Sequence, residues 1–179
     1  MKYCVMLHNN FEDIEATSFI DLLRRVNVEL DVFGIGGKKI TSRSKITYLV
    51  EHEFLSGQDI SVPDYAGILI PGGPGVYALT GNQPLLDMIK KFYDAGKLVF
   101  AICAAPLLLD KAGILEGKSY TCYPGTEIES GNYISDDVVV DGTVITSQGV
   151  GTALKAALKL VEIIVSKEEA GKQGKAVLF

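Results

Sequence analysis

The sequence predicts an α/β fold: a mostly parallel sheet with helices on both faces. Two observations carry this reading. Short uncharged runs such as Tyr65–Ile70 and Leu98–Ile102 read as strands buried on both sides, and they alternate with amphipathic segments of helical length. The apolar runs also stop in polar or glycine-rich groups, which in parallel sheets form the carboxyl-end rim where ligands bind.

Tyr3–Leu7 opens as an apolar strand and ends in His8-Asn9-Asn10. Glu12-Asp13-Ile14-Glu15 then starts a helix, with acids in the first turn where the dipole favours them. Phe19, Ile20, Leu22, Leu23 and Val26 continue its apolar stripe. Val28–Ile35 forms a second strand stopped by Gly36-Gly37, and Ile46–Phe54 reads as a weaker hairpin before the turn residues 56–59. Tyr65–Ile70 delivers the loop Pro71-Gly72-Gly73-Pro74-Gly75. Pro84–Ala95 is an amphipathic helix, capped by Asn82 or Gln83 and ended by Gly96. Leu98–Ile102 breaks at Cys103, and Pro106 begins a helix that runs to near Gly113. Tyr120–Tyr123 reads as a further strand. Val138–Val140 and Thr143–Thr146 flank Asp141-Gly142, a type I′ hairpin signal. Thr152–Val165 is the last long helix, followed by a polar segment 167–175 and a small apolar end.

A chain of 179 residues is expected to form one domain, burying on the order of 70% of its unfolded surface. A hydrophobic fraction of 47% and a charged fraction of 22% argue against disorder. The net charge of -5 gives no basic footprint for nucleic acid. No apolar stretch approaches the roughly 18 residues that cross a bilayer, and the N-terminus has no secretory pattern. Three widely spaced cysteines suit a reducing cytoplasm better than a disulfide framework. No internal repeat, linker or low-complexity segment interrupts the chain.

Cys103 is the residue with the clearest chemistry. It stands at the carboxyl end of a strand beside the free amides of a helix start, a place expected to favour the nucleophilic thiolate. Glu15, in the opening of the first helix, is its candidate partner across the rim; a proton-sharing pair is useful where two anions would repel. Glu12, Asp13 and Glu15 read equally as a solvated helix start. Gly72-Gly73 and the amide of Ala104 are candidates for an oxyanion hole, or an ordinary turn. No Lys-Ser/Thr pair follows Gly75, so a phosphate loop is excluded. The two histidines, His8 and His52, form no cysteine-protease or metal pattern, and His8 reads as structural. Cys4 reads as a core residue; Cys122 is either a resolving thiol or a bystander.

The chain resembles the ThiJ/PfpI superfamily over nearly its whole length, closest to the branch of the parkinsonism-associated protein deglycase, DJ-one. The resemblance rests on Phe11-Glu12-Asp13-Ile14-Glu15-Ala16, Asp21–Arg25, Leu69-Ile70-Pro71-Gly72-Gly73, Ala101–Pro106, and Asp141-Gly142 through Thr146–Thr152, in that order and spacing. It implies a flavodoxin-like three-layer fold with Cys103 as nucleophile on a strained elbow and Glu15 as its acid/base partner. It further implies Gly73 and Ala104 as the oxyanion amides and Arg43 beside the cysteine pocket. Arg25 is implied to approach from the second subunit of a homodimer. Two departures stand out. Tyr123 occupies a position often filled by histidine, and Ala104 replaces the histidine that follows the nucleophile in the protease-like branch, which makes peptidase activity unexpected.

The function so implied is a cofactor-independent glyoxalase or deglycase acting on 2-oxoaldehydes or their thiol and amine adducts. Cys103 would add to the aldehyde, and Glu15 would carry the proton between the two carbons to give a 2-hydroxy acid. The alternative is a redox-sensing stress-response chaperone in which Cys103 is oxidised to a sulfinate. Thiazole-phosphate biosynthesis, a label attached to the family, has no phosphate site to support it.

Overall fold

The structure, a computed structural model, describes residues 2–179. β1 (Lys2–Leu7) leads into α1 (Asp13–Arg25), followed by β2 (Glu29–Ile35) and three short strands, β3 (Lys39–Thr41), β4 (Thr47–Leu49) and β5 (His52–Phe54). β6 (Tyr65–Ile70) continues through the one-turn α2 (Val76–Leu79) to α3 (Gln83–Asp94). β7 (Leu98–Ile102) leads into α4 (Pro106–Lys111), and β8 (Ser119–Tyr120), β9 (Asn132–Tyr133), β10 (Val138–Asp141) and β11 (Val144–Ser147) follow. α5 (Ala153–Ile164) and α6 (Lys167–Ala176) close the chain.

Seven strands form the main sheet in the order β10-β11-β7-β6-β1-β2-β5. Every pairing in it is parallel except β10 with β11. The uninterrupted apolar runs are explained by burial on both faces. Ile68 and Ile70 of β6 point into a core with Phe92, Val99 and Leu108, while Leu69 points the other way with Val5, Phe19, Phe100 and Leu160. From β1 the chain moves outward to β2 on one side, then returns to place β6 on the other. The carboxyl ends of β1 and β6 therefore form a topological switch point, where such sheets open a crevice.

Four expectations are corrected by the structure. The segment 46–54 is not a hairpin: β4 pairs antiparallel with β3, whereas β5 joins the main sheet parallel to β2. The Gly36-Gly37 turn sends β3 back across the rim, which makes it the nearer partner. Of the expected strand 120–123 only Tyr120 is paired, as the last residue of β8 with β9 as partner. In the β10–β11 turn Asp141 faces Val144, so Gly142 and Thr143 are the central pair, and only Gly142 has positive φ. That fits a type II′ turn rather than I′. The polar segment after residue 166 is a helix, α6, whose Ser166 side chain accepts the Glu169 N–H. No helix among the described residues is long and apolar enough to cross a membrane.

Candidate active site

Cys103 has φ 64, a left-handed conformation that costs a residue with a Cβ about 1–2 kcal/mol. Two backbone hydrogen bonds hold it there. Its N–H donates to the Ser147 carbonyl and its carbonyl accepts from Tyr123 N–H, both at 2.9 Å. The elbow is thereby pinned between β11 and the loop after β8, and the sulfur is turned out at the rim, partly exposed. Strain held by surrounding structure in this way is characteristic of functional positions.

Glu15 comes to the same place from α1. Its carboxyl is fully buried, and Oε2 accepts the Gly72 N–H at 2.8 Å. Oε1 accepts no N–H or O–H hydrogen bond among the described residues. The Cys103 thiol stands beside this carboxyl and favours its charged form. The start of α1 is stitched to the β6 loop by Glu12 N–H donating to the Gly72 carbonyl at 3.0 Å. Gly72 is required by this crowding, since a Cβ there would stand 2.5 Å from Cys103 Cβ and 2.6 Å from the Ile102 carbonyl oxygen. Gly73 has φ 103, and a Cβ on it would meet the Asn10 carbonyl oxygen at 2.5 Å. The backbone N–H groups of Gly73 and Ala104 face the sulfur.

Burial decides the electrostatics. It pushes the Glu15 carboxyl from 4.5 up to about 7, against the opposing hydrogen bonds from Cys103 and Gly72. Burial likewise pushes the Cys103 thiol up to about 12, reinforced by the neighbouring Glu15 charge, while the Gly73 and Ala104 amides pull the other way. The expectation of a thiol lowered by the helix start is therefore corrected: desolvation and a like charge outweigh two amides. Between those two values the pair holds one proton, and the two steps belong to the pair rather than to either residue.

A cavity of about 260 Å³ opens over the sulfur, lined by Arg43, Gly73, Pro74, Tyr77, Cys103, Ala104 and Tyr123. Arg43 is oriented by Glu12, whose Oε2 accepts from its guanidinium at 3.0 Å. The structure thus brings together Cys103, Glu15, Gly72, Gly73, Ala104, Arg43 and Tyr123. It does not bring Arg25 to this cavity: that side chain lies at the far end of α1, exposed and paired with Asp21 at 2.7 Å. His8 is buried beneath the rim. Cys122 is buried in the core under α3 and α4, whereas Cys103 packs with the opposite core, so the bystander reading of Cys122 fits. Cys4 is a buried core residue. Two contributors lie outside the candidate site residues, Tyr77 with no sequence signal and Gly149 with only a weak one. Tyr77 comes from α2, too short to show a period, and a Cβ on Gly149 would lie 3.7 Å from both Cys103 Sγ and Glu15 Oε1. The chemistry-bearing signal at Gly149 was its place in the Gly149-Val150-Gly151 run. Among the described residues no group of three or more His, Cys, Asp or Glu is placed to hold a metal.

Known proteins share this arrangement of chain. Protein dj-1beta of Drosophila melanogaster is 32% identical, over 97% of this chain and 95% of its own. Its crystal structure gives a TM-score of 0.87 at 31% identity, covering 99% of this chain and 97% of that one. Oxidized DJ-1 of Toxoplasma gondii gives 0.90 at 30% identity, covering 99% and 98%. A protein of Pyrococcus abyssi named a deglycase is 28% identical, over 83% of this chain and 90% of its own. Residues 1–163 match the sequence profile of the DJ-1/PfpI family, and with the flavodoxin-like sheet and these relatives the chain belongs to that family.

Proposed function

We propose that this protein is a cofactor-independent glyoxalase or deglycase that converts 2-oxoaldehydes, or their thiol and amine adducts, to 2-hydroxy acids. The observation that carries the reading is the half-buried Cys103 thiol beside the buried Glu15 carboxyl beneath a small cavity. The deglycase name of the Pyrococcus relative supports it. Glu15 takes the Cys103 proton as the sulfur adds to the aldehyde carbon C1 and passes it to the oxyanion that forms, which the Gly73 and Ala104 amides face, so that a neutral hemithioacetal results and Glu15 is again ionised. Glu15, with a pKa near neutrality, is suited to take the C1 proton and return it at C2 while the hydroxyl proton of the hemithioacetal moves from the C1 oxygen to the C2 oxygen, leaving a thioester on Cys103. Water hydrolyses the thioester, releasing the 2-hydroxy acid and restoring the thiol. Arg43 at the cavity wall binds the carbonyl oxygen remote from the sulfur, and Tyr123 and Tyr77 close the sides. Lactate formation from methylglyoxal tests this in the wild type, Cys103→Ala and Glu15→Gln. Turnover in the wild type that is lost in both variants is expected; undiminished turnover in either sinks the mechanism.

The same reading makes the protein a homodimer whose first helix carries Arg25 towards the partner's cavity. Support comes from the exposed Ile14 on α1 and the exposed Ile46 and Leu49 of the neighbouring hairpin. Sedimentation of the wild type and of Leu49→Lys tests it. The cytoplasmic location is supported by three cysteines that remain free thiols.

Oxidation sensing is the second reading, favoured by the oxidized Toxoplasma relative and by amides already facing the sulfur, which suit a sulfinate. Mass spectrometry after mild peroxide treatment separates the two. Oxidation confined to Cys103 supports sensing, and oxidation of Cys4 or Cys122 with Cys103 reduced removes its basis.

A further inference from the structure

His8 is a buried titratable group that the proposed mechanism leaves unused. The residue is 2% exposed, immediately after β1. Its Nδ1 lies 3.1 Å from the Asn9 carbonyl oxygen and its Nε2 lies 3.3 Å from the Pro71 carbonyl oxygen. A neutral imidazole has one N–H, so it can donate to only one of them. The contact with Pro71 is fully buried, whereas that with Asn9 is only partly so. Leaving the more buried carbonyl without a donor costs more, which assigns the neutral-state proton to Nε2.

The Pro71 carbonyl and the Gly72 N–H belong to one planar trans peptide. Fixing the oxygen fixes the N–H, and that N–H is the donor to Glu15 Oε2 at 2.8 Å. A hydrogen bond accepted by the carbonyl also polarises the amide and strengthens its N–H as a donor. We propose that His8 is a positioning residue for this site, its Nε2–H holding the Pro71–Gly72 peptide so that the Gly72 amide stabilises the Glu15 carboxylate.

The surroundings leave the ring little freedom. A Cβ on Gly75 would meet Nδ1 at 2.6 Å, and the Phe11 ring stands edge-on with centroids 6.5 Å apart. No charged side chain acts on the ring from β1, from the segment before α1 or from the β6 loop; burial lowers its pKa, opposed only by the two backbone carbonyls. His8 is therefore neutral at pH 7, and acid adds the second donor, to Asn9.

The proposal rests on the reading of Glu15 and Gly72 as parts of the reacting site, but its test needs no turnover. The rate of Cys103 alkylation by iodoacetamide is followed against pH, and the lower inflection reports Glu15. In His8→Ala and His8→Asn the inflection moves upward by on the order of half to one pH unit, the equivalent of part or all of one hydrogen bond. His8→Gln, whose side-chain N–H reaches where Nε2 lay, restores it. An inflection unmoved in His8→Ala and His8→Asn overturns the proposal, as does equal behaviour of the Asn and Gln variants. Should His8→Ala fail to fold, nitrogen-15 spectra of the wild-type ring decide: Nε2 carries the proton at pH 7, and a ring protonated at Nδ1 refutes the assignment. With only two histidines in the chain, the His8→Gln spectrum assigns the signals.

Discussion

Glu15 is a carboxyl that burial makes costly, so replacing it by its neutral isostere should stabilise the fold while ending the chemistry. A folded-state pKa raised from 4.5 to about 7 means that the native chain binds more protons than the unfolded chain throughout that window. Stability on account of this group is therefore present in acid and is lost as pH rises from 4.5 through 7. Above pH 7 the full cost is about 3 kcal/mol. Glu15→Gln carries no charge to desolvate, and its amide oxygen can still accept the Gly72 N–H. The variant should thus gain on the wild type as pH rises. Urea unfolding at pH 5.5 and 8.5 measures this, with other titrating groups cancelling between the two proteins. An increase of about 2 kcal/mol in the variant's advantage over that interval is expected. A flat difference, or a wild type that gains on the variant towards pH 8.5, would show that the carboxyl is not desolvated as described.

Three further outcomes follow from the geometry. At an ordinary position Gly is less stabilising than Ala by about 0.5–1 kcal/mol, but at φ 64 the order reverses, so thermal unfolding should find Cys103→Gly at least as stable as Cys103→Ala. Gly72→Ala should cost about 1–3 kcal/mol in urea unfolding and slow Cys103 alkylation, because its methyl would stand 2.5 Å from Cys103 Cβ. Arg43→Ala should raise KM for methylglyoxal with kcat little changed, and should alter stability by less than about 1 kcal/mol, since its ion pair with Glu12 is mostly open to water on the arginine side.

The alternation of strand and helix was legible because β1, β6 and β7 are buried on both faces and therefore read as continuous apolar runs. The short rim strands were not. β4 alternates exposed and half-buried residues, and what decides its partner is the direction in which a glycine turn sends β3, a property of three dimensions. α6 is polar along most of its length and is a helix through its Ser166 cap and its packing on α5, neither of which produces an apolar stripe.

The site divides in the same way. Cys103, Glu15 and the glycines were legible because each sits at a break in an apolar run, and the switch point gathers such breaks at one rim. Their electrostatics were not, because the sign of the thiol's shift depends on how much water the fold removes and on which neighbour keeps its charge. The amides of a helix start favour an anion, yet here two acidic groups, each with its own amides, stand side by side in a desolvated corner, and only one can be charged at neutral pH. That competition gives the left-handed elbow, the tight glycines and the carboxyl's bare Oε1 a common physical reason. Each departure costs stability, and each brings the sulfur and the carboxyl close enough for one proton to serve both.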